Sequence, residues 1–205
     1  CISVNDLLHG EVIAMSDYKQ KQEELVLELA RQIDSISPAI GIDFVCFDLE
    51  DYGIPYWAEQ EAPSDGSDWC LGSQYWARTP HTPNYTARFG ILLDMVGGKD
   101  ATFYYEGFSR EYAPVIVDKV WDKAHAAGYG RHFPKQSGGY ITDDHLPINT
   151  IARIPCIDII PMMTNSQLSS FGDTWHTIND NMAHIDRTTL QAVGQTLMEV
   201  IYSEK

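Results

Sequence analysis

Several carboxylates stand within or directly after apolar runs of the chain. Asp48, Glu50 and Asp51 follow the run Ile42–Phe47, so three acids fall within four positions. Such acids repel one another unless a cation or shared protons relieve the repulsion, or unless the turn is solvated. Asp94 lies inside another apolar run, where a carboxylate must be paired, metal-bound or protonated because burying it bare is costly. These acids indicate metal coordination or proton transfer, and a structural acid accepting backbone N–H groups is the alternative at Asp94.

Two further segments combine histidine with acidic or aromatic residues. Gly138 and Gly139 precede the run Asp143–His145. Paired glycines let the backbone pass close to another group, and the acid-acid-histidine run offers metal ligands or an acid–base relay. His176 follows Trp175 in a polar loop, where it is either a metal ligand or an exposed histidine. Together with the acids, one imidazole makes a donor set that suits zinc with oxygen and nitrogen coordination.

Composition argues against several classes of function. The 205 residues carry 14 Lys and Arg against 29 Asp and Glu, which gives a formal net charge of −15. So acidic a surface repels nucleic-acid phosphates and anionic lipid headgroups. No apolar stretch approaches the roughly 20 residues that a membrane helix needs, so no transmembrane segment is expected. The chain also has no GxSxG, GxGxxG, P-loop or HExxH motif. The sequence therefore lacks the usual motifs of serine hydrolases, dinucleotide-binding enzymes and NTPases.

Alternating helical and strand-like segments must position these residues. Three segments have helical periodicity, which predicts helices over Tyr18–Ile33, Tyr112–Ala127 and Thr188–Tyr202, and Asp186 is placed to cap the start of the last one. Three short runs are rich in β-branched and apolar residues, which predicts strands over Ile42–Phe47, Phe89–Val96 and Ile154–Ile160. Such alternation predicts an α/β domain of three layers, α/β/α, with a mixed, largely parallel sheet. Long loops after strand ends of such a sheet are where ligands bind.

Five segments in order resemble the animal-type, zinc-dependent glutaminyl-peptide cyclotransferases, which belong to the zinc aminopeptidase-like superfamily. The segments are Glu50–Asp51, Cys70–Trp76, Leu92–Asp94, Asp143–His145 and Trp175–Thr177. The resemblance runs from about Leu27 to the C-terminus. It implies a zinc-aminopeptidase-like fold in a single domain over residues 1–205, in which residues 1–26 are not recognisable. We therefore expect the N-terminal region of the family to be missing or replaced.

The resemblance also assigns roles to the acids and the histidine. By position, Glu50 resembles the general acid/base of the family, while Asp94 and Asp143 resemble the acids of its hydrogen-bond network. Asp51 and His176 resemble two zinc ligands, although many relatives have Glu at the first of these positions. Zinc is thus the expected cofactor.

Further site residues follow from the same resemblance. Trp175 and Phe171 match aromatic positions that line the substrate pocket, and a third aromatic falls at Tyr56 or Trp57. Asp17 stands roughly where a third zinc ligand is expected, although the residues after it do not fit the family pattern.

The expected activity is conversion of the N-terminal glutamine of peptides to pyroglutamate with release of ammonia. The expected partner is a peptide with an N-terminal glutamine. One alternative is a zinc aminopeptidase, and another is an inactive relative that only binds peptide N-termini. Because relatives are commonly secreted, periplasmic or membrane-anchored, the resemblance also favours an exported protein.

Overall fold

The computed structural model describes residues 29–31, 33, 40–51, 53–54, 61, 63, 65–163 and 169–204. Most of the predicted first helix, with the candidate ligand Asp17, lies outside the described residues, and so do the alternative pocket aromatics Tyr56 and Trp57. The described part of that helix, residues 29–31 and 33, is helical, and the side chain of Leu29 is buried in the main hydrophobic core.

Two parallel strands form the sheet of the described residues. Strand β1 covers Gly90–Leu93 and strand β2 covers Cys156–Ile159, with their first residues paired and their last residues paired. The predicted strand Phe89–Val96 is therefore too long, because the backbone turns into the left-handed region at Met95, with φ of 51°. As a result, Asp94 stands directly after the end of β1 instead of inside the strand.

The predicted strand over Ile42–Phe47 is wrong for the part of the chain that the structure describes. Residues 41–48 pair with no described strand, although Phe44 packs against the main core and Phe47 packs against a second core. The apolar composition of the segment reflects this burial. A strand additionally requires a paired neighbour, which composition alone cannot supply.

Helices and helical turns account for much of the remaining described chain. They are α1 at Leu71–Arg78, α2 at Gly107–Tyr112, α3 at Pro114–Ala126, α4 at His145–Pro147 continuing as a π-helical turn over Ile148–Ala152, a 3₁₀ turn at Met182–His184, and α5 at Arg187–Ser203. Among these described elements there is no helix with the length and apolar character that a bilayer crossing demands.

The predicted helix Tyr112–Ala127 corresponds to α3, which begins two residues later and is preceded by the separate short helix α2. Ala113 has φ of −137° and ψ of 47°, which breaks the helix between α2 and α3. Proline disfavours the α conformation in the residue before it, and its fixed φ suits the first helical position, so Pro114 explains both the break and the new start. Sequence periodicity identified α3 and missed α2, which begins after the cap residue Glu106.

The last helix follows its prediction closely. The predicted bounds Thr188–Tyr202 differ by one residue at each end from the observed helix α5. The predicted cap residue Asp186 accepts hydrogen bonds from the backbone N–H and the hydroxyl of Thr188, both at 2.7 Å. Such a cap satisfies one of the amide groups that a helix start leaves without a partner.

Hydrophobic cores lie on both faces of the sheet. Ile157 and Ile159 of β2 belong to the main core, together with residues of α3 and α5. Cys156 belongs to the second core, which contains Trp76 of α1. Because strand side chains alternate between faces, Asp158 lies on the same face as Cys156. Helices cover both faces, so the predicted three-layer α/β fold is confirmed, with an entirely parallel sheet in the described part.

Candidate active site

The loop with Glu50 is anchored to the start of helix α1. The backbone N–H groups of residues 70, 71 and 72 donate to the carbonyl oxygens of residues 50, 49 and 48, at 3.0, 2.9 and 3.2 Å. The first amide groups of a helix have no intrahelical partners. The loop carbonyl groups accept their hydrogen bonds, and these bonds fix the position of the loop. A Cβ atom at Gly72 would overlap the carbonyl oxygen of Asp48. Glycine is therefore required for this close approach.

Glu50 lies in an environment that favours its neutral form. Burial, followed by the negative charges of Asp51, Asp94 and Asp144, raises the pKa of Glu50 to about 8. A carboxyl with a pKa near neutrality both accepts and returns protons at the pH where enzymes work. The environment of Glu50 is therefore suited to general acid–base chemistry.

Cys70 and Asp143 complete a small buried cluster around Glu50. One ligand-type atom from each of the three side chains lies within 4.8 Å of the other two. Burial, with the nearby charges of Asp144 and Asp143, raises the pKa of the Cys70 thiol. Burial and the acids around it, Asp158 first among them, also raise the pKa of Asp143 well above its usual range. Raised pKa values in all three groups favour shared protons within the cluster.

Asp51 and His176 meet at the open side of the site. Asp51 Oδ1 lies 3.0 Å from His176 Nε2, and their side chains are 25% and 29% exposed. One carboxylate oxygen and one imidazole nitrogen at this separation fit around a single divalent ion, and both donor types suit zinc. A catalytic zinc usually has three protein ligands, and the candidate for the third, Asp17, lies outside the described residues.

One aromatic ring stacks on this histidine, and a second ring lies against the first. The indole of Trp175 stacks on the ring of His176 with centroids 4.1 Å apart, and Phe171 lies 5.4 Å from Trp175. Phe171 also lines a cavity of about 190 Å³ together with Met163 and Asp180. Burial and the charge of Asp94 raise the pKa of Asp180 to about 6. The two predicted pocket aromatics therefore lie side by side, next to the candidate metal ligand.

A larger cavity holds the predicted catalytic acids. It has a volume of about 690 Å³ and lies between residues 40–47 and strand β1. Glu50, Asp94 and Asp143 all line it. Phe171, Trp175, Asp51 and His176 do not line it, so the acids and the aromatic residues border different spaces.

Two buried acids near this cluster were missed by the sequence reasoning. Asp158 lies in the apolar strand β2 and is fully buried, and Glu106 is 1% exposed. The argument applied to Asp94, that a carboxylate in an apolar run must have a special role, applies equally to Asp158 and would have found it. Glu106 follows the aromatic run Phe103–Tyr105 without a comparable pattern.

Acids after parallel strands, with a histidine close by, define an α/β protein of the kind that binds ligands at the carboxyl ends of its strands. The sequence profile of peptidase family M28 matches residues 24–201, and the chain belongs to this family.

Individual relatives agree with the resemblance seen in the sequence. The glutaminyl-peptide cyclotransferase of Bos taurus is 26% identical, over 84% of this chain and 52% of its own. The structure of a Bacteroides thetaiotaomicron glutaminyl cyclase bound to N-acetylhistamine has 55% identity and a TM-score of 0.80, over 88% of this chain and 60% of that chain. A Zn-dependent exopeptidase from Parabacteroides distasonis has 51% identity and a TM-score of 0.81, also over 88% and 60%.

These comparisons confirm the resemblance to glutaminyl cyclases and the zinc-aminopeptidase-like fold. The chain spans about half the length of the Bos taurus relative and about 60% of the two crystallised relatives.

Proposed function

We propose that this protein is a zinc-dependent glutaminyl-peptide cyclotransferase. The observation that carries the proposal is Glu50, a carboxyl with a pKa raised to about 8, directly beside the Asp51–His176 pair of potential zinc ligands. Similarity to the glutaminyl cyclase of Bacteroides thetaiotaomicron supports the substrate class, a peptide with an N-terminal glutamine.

The reaction closes a five-membered lactam within the substrate. The α-amine nitrogen forms a bond to the side-chain amide carbon, the bond from that carbon to the amide nitrogen breaks, and ammonia leaves. Glu50 takes the proton that the attacking amine loses and delivers a proton to the departing nitrogen. A general acid–base group contributes most when its pKa lies near the working pH, which agrees with the raised pKa of Glu50.

Asp51 and His176 would hold the zinc ion, whose chemistry is Lewis-acid polarisation of the amide carbonyl. Stacking against Trp175 fixes the plane of the His176 ring. Asp94 contributes negative charge that favours the protonated form of Glu50. Trp175 and Phe171 offer an apolar wall against which the glutamine side chain can be oriented.

The test is an assay of the full chain with zinc and a glutaminyl-peptide. We expect ammonia and a pyroglutamyl peptide in equal amounts. The Glu50→Gln variant should lose about 10²- to 10⁴-fold in kcat, the usual contribution of a positioned acid–base group, and should keep its zinc. Glu111→Gln, the same change at an exposed position of helix α2, is the matched control and should behave as the unmodified chain.

Different outcomes separate the alternatives. Release of a free N-terminal amino acid, with about two zinc ions per chain, would indicate a two-metal aminopeptidase. Peptide binding without any product would indicate a non-catalytic relative. Undiminished cyclisation by Glu50→Gln would remove the acid–base role from this residue.

A further inference from the structure

His145 follows directly after the acids Asp143 and Asp144, and its imidazole is fully buried between two other carboxyl groups. Its Nε2 atom lies 3.0 Å from Oε2 of Glu106, and its Nδ1 atom lies 3.8 Å from Oδ2 of Asp158. Neither carboxyl group belongs to the cavity that holds Glu50. The ring thus links two acids that have no role in the proposed proton transfer.

The surroundings of Glu106 favour its ionised form. Its carboxylate accepts hydrogen bonds from the backbone N–H groups of residues 108 and 109, from the Ser109 hydroxyl and from the backbone N–H of Ile141, and its fifth contact is to His145 Nε2. Burial acts to raise the pKa of Glu106, but the hydrogen bond from His145, the positive charge that this ring carries when it is protonated, and the bonds from Ser109 outweigh burial and lower the pKa to about 2. Because a carboxylate only accepts hydrogen bonds, His145 must carry its proton on Nε2.

The opposite side of the ring presents a complementary pair of groups. Among the described residues, neither side-chain oxygen of Asp158 nor Nδ1 of His145 has a hydrogen-bond partner. A buried carboxylate without donors is costly, and so is a buried ring nitrogen without a partner. Burial, with the charges of Asp94 and Glu106, raises the pKa of Asp158 well above its usual range. A small rotation of the protonated carboxyl would let its O–H donate to Nδ1 and satisfy both groups.

Glu106 also holds both ends of the segment that carries Asp143. It accepts from Ile141 N–H before this acid and from His145 after it. Between these anchors, Asp143 Oδ1 accepts the backbone N–H of Asp144 at 2.5 Å, which fixes the carboxyl within the turn. The position of Asp143 beside Glu50 therefore depends on the two bonds to Glu106.

We propose that Asp158, His145 and Glu106 form a buried hydrogen-bond relay, O–H to Nδ1 and Nε2–H to carboxylate, that positions Asp143 beside Glu50. The three are positioning residues, because they act through Asp143. The effect on turnover rests on the proposed cyclase function, whereas the state of the ring does not.

The direct test is nitrogen NMR of the full chain with ¹⁵N-labelled histidine at neutral pH, with the His145 signals assigned by their loss in His145→Gln. We expect a neutral ring that is protonated at Nε2 and accepts a hydrogen bond at Nδ1. Asp158→Asn should preserve this signature because the amide N–H₂ can donate to Nδ1. Asp158→Leu should remove the hydrogen-bond signature at Nδ1, and Asp118→Asn, at an exposed position on α3, should change nothing.

The kinetic test uses the same variants with a glutaminyl-peptide. Displacement of a catalytic group by about 1 Å costs on the order of 100-fold, so Asp158→Leu and His145→Gln should lower kcat about 10- to 100-fold with little change in KM. Asp158→Asn should retain most of the activity. A ring protonated at Nδ1, or equal kcat values for Asp158→Asn and Asp158→Leu, would overturn the relay. Absence of turnover in the unmodified chain, with the expected ring signature, would overturn the proposed function and leave the relay standing.

Discussion

Two carboxylate–imidazole pairs in this protein have the same length and opposite surroundings. His176 and Asp51 lie 3.0 Å apart with about a quarter of each side chain exposed. His145 and Glu106 lie 3.0 Å apart with 0% and 1% exposed. The distance between the two groups alone therefore does not distinguish a candidate metal site from a buried pair that positions other residues.

Burial and the number of other donors distinguish the two pairs. Besides the His145 ring, four protein donors bind the buried carboxylate of Glu106 and occupy the positions where an ion would bind. Asp51 and His176 keep one side towards solvent, where an ion can reach both. The open pair is therefore the candidate for ion binding, and the closed pair is the candidate for an internal structural role.

The largest expected effect comes from matched amide substitutions in the two pairs. A buried donor left without its acceptor typically costs about 1–3 kcal/mol, and the Gln amide accepts fewer hydrogen bonds than the carboxylate, so Glu106→Gln should lower the free energy of unfolding by about 2–5 kcal/mol. Asp51→Asn should cost about 0–1 kcal/mol, as for exposed pairs. Urea denaturation with a metal chelator present measures both, and equal losses would contradict the distinction between the pairs.

The sequence predicts features that depend on local rules. The amphipathic periodicity of α5 and the cap at Asp186 follow from neighbouring residues alone, and both are confirmed. The break at Pro114 also follows from a local rule and was available from the sequence. Strand pairing at Ile42–Phe47 depends on a distant neighbour, so composition suggested a strand that the described residues do not form.

The candidate site divides in the same way. Asp94 was noticed because a carboxylate interrupted an apolar run, and Asp158 interrupts a second such run. Which acid faces which histidine is decided by tertiary packing. The contact of Glu106 with His145 joins residues 39 positions apart, and no local sequence pattern predicts it. Family resemblance assigned the residues of the open pair, whereas the closed pair required coordinates.

The second expected effect is an acid-dependent loss of the closed pair. The pKa of Glu106 is lowered from 4.5 to about 2, so its contribution is present above about pH 4.5 and is lost as the pH falls towards 2. A shift of this size corresponds to a contribution on the order of 3 kcal/mol. We therefore expect the difference in unfolding free energy between the unmodified chain and Glu106→Gln to shrink on acidification.

Neighbouring acids do not obscure this measurement. The raised pKa values of Asp158 and Asp143 change the stability in the opposite direction. Their protonated forms are favoured in the folded state, so their contribution to stability falls as the pH rises. Burial is the largest cause of both raised pKa values and is unchanged by Glu106→Gln, so these contributions largely cancel in the difference, although the charge of Glu106 adds to the raised pKa of Asp158. A difference that stays constant from about pH 6 to about pH 3 would show that Glu106 is not held as an anion.

The smallest expected effect is stabilisation by zinc through the open pair. A ligand that binds only the folded state at 100 times its Kd stabilises by about 2.7 kcal/mol. For a chain of this size each kcal/mol raises Tm by about 2–4 °C, so zinc should raise it by roughly 5–10 °C. Asp51→Asn and His176→Gln should abolish the rise, and thermal unfolding followed by circular dichroism measures it.

Glu106→Gln is the informative comparison for the zinc experiment, because its carboxylate–imidazole pair is equally short but closed to solvent. Its Tm should start lower and still rise by the same amount with zinc, since the open pair is unchanged. A zinc response lost in Glu106→Gln but retained in Asp51→Asn would place the ion at the closed pair. In that case solvent exposure would not decide which of the two pairs binds zinc. The assignment of Asp51 and His176 as zinc ligands would then be wrong.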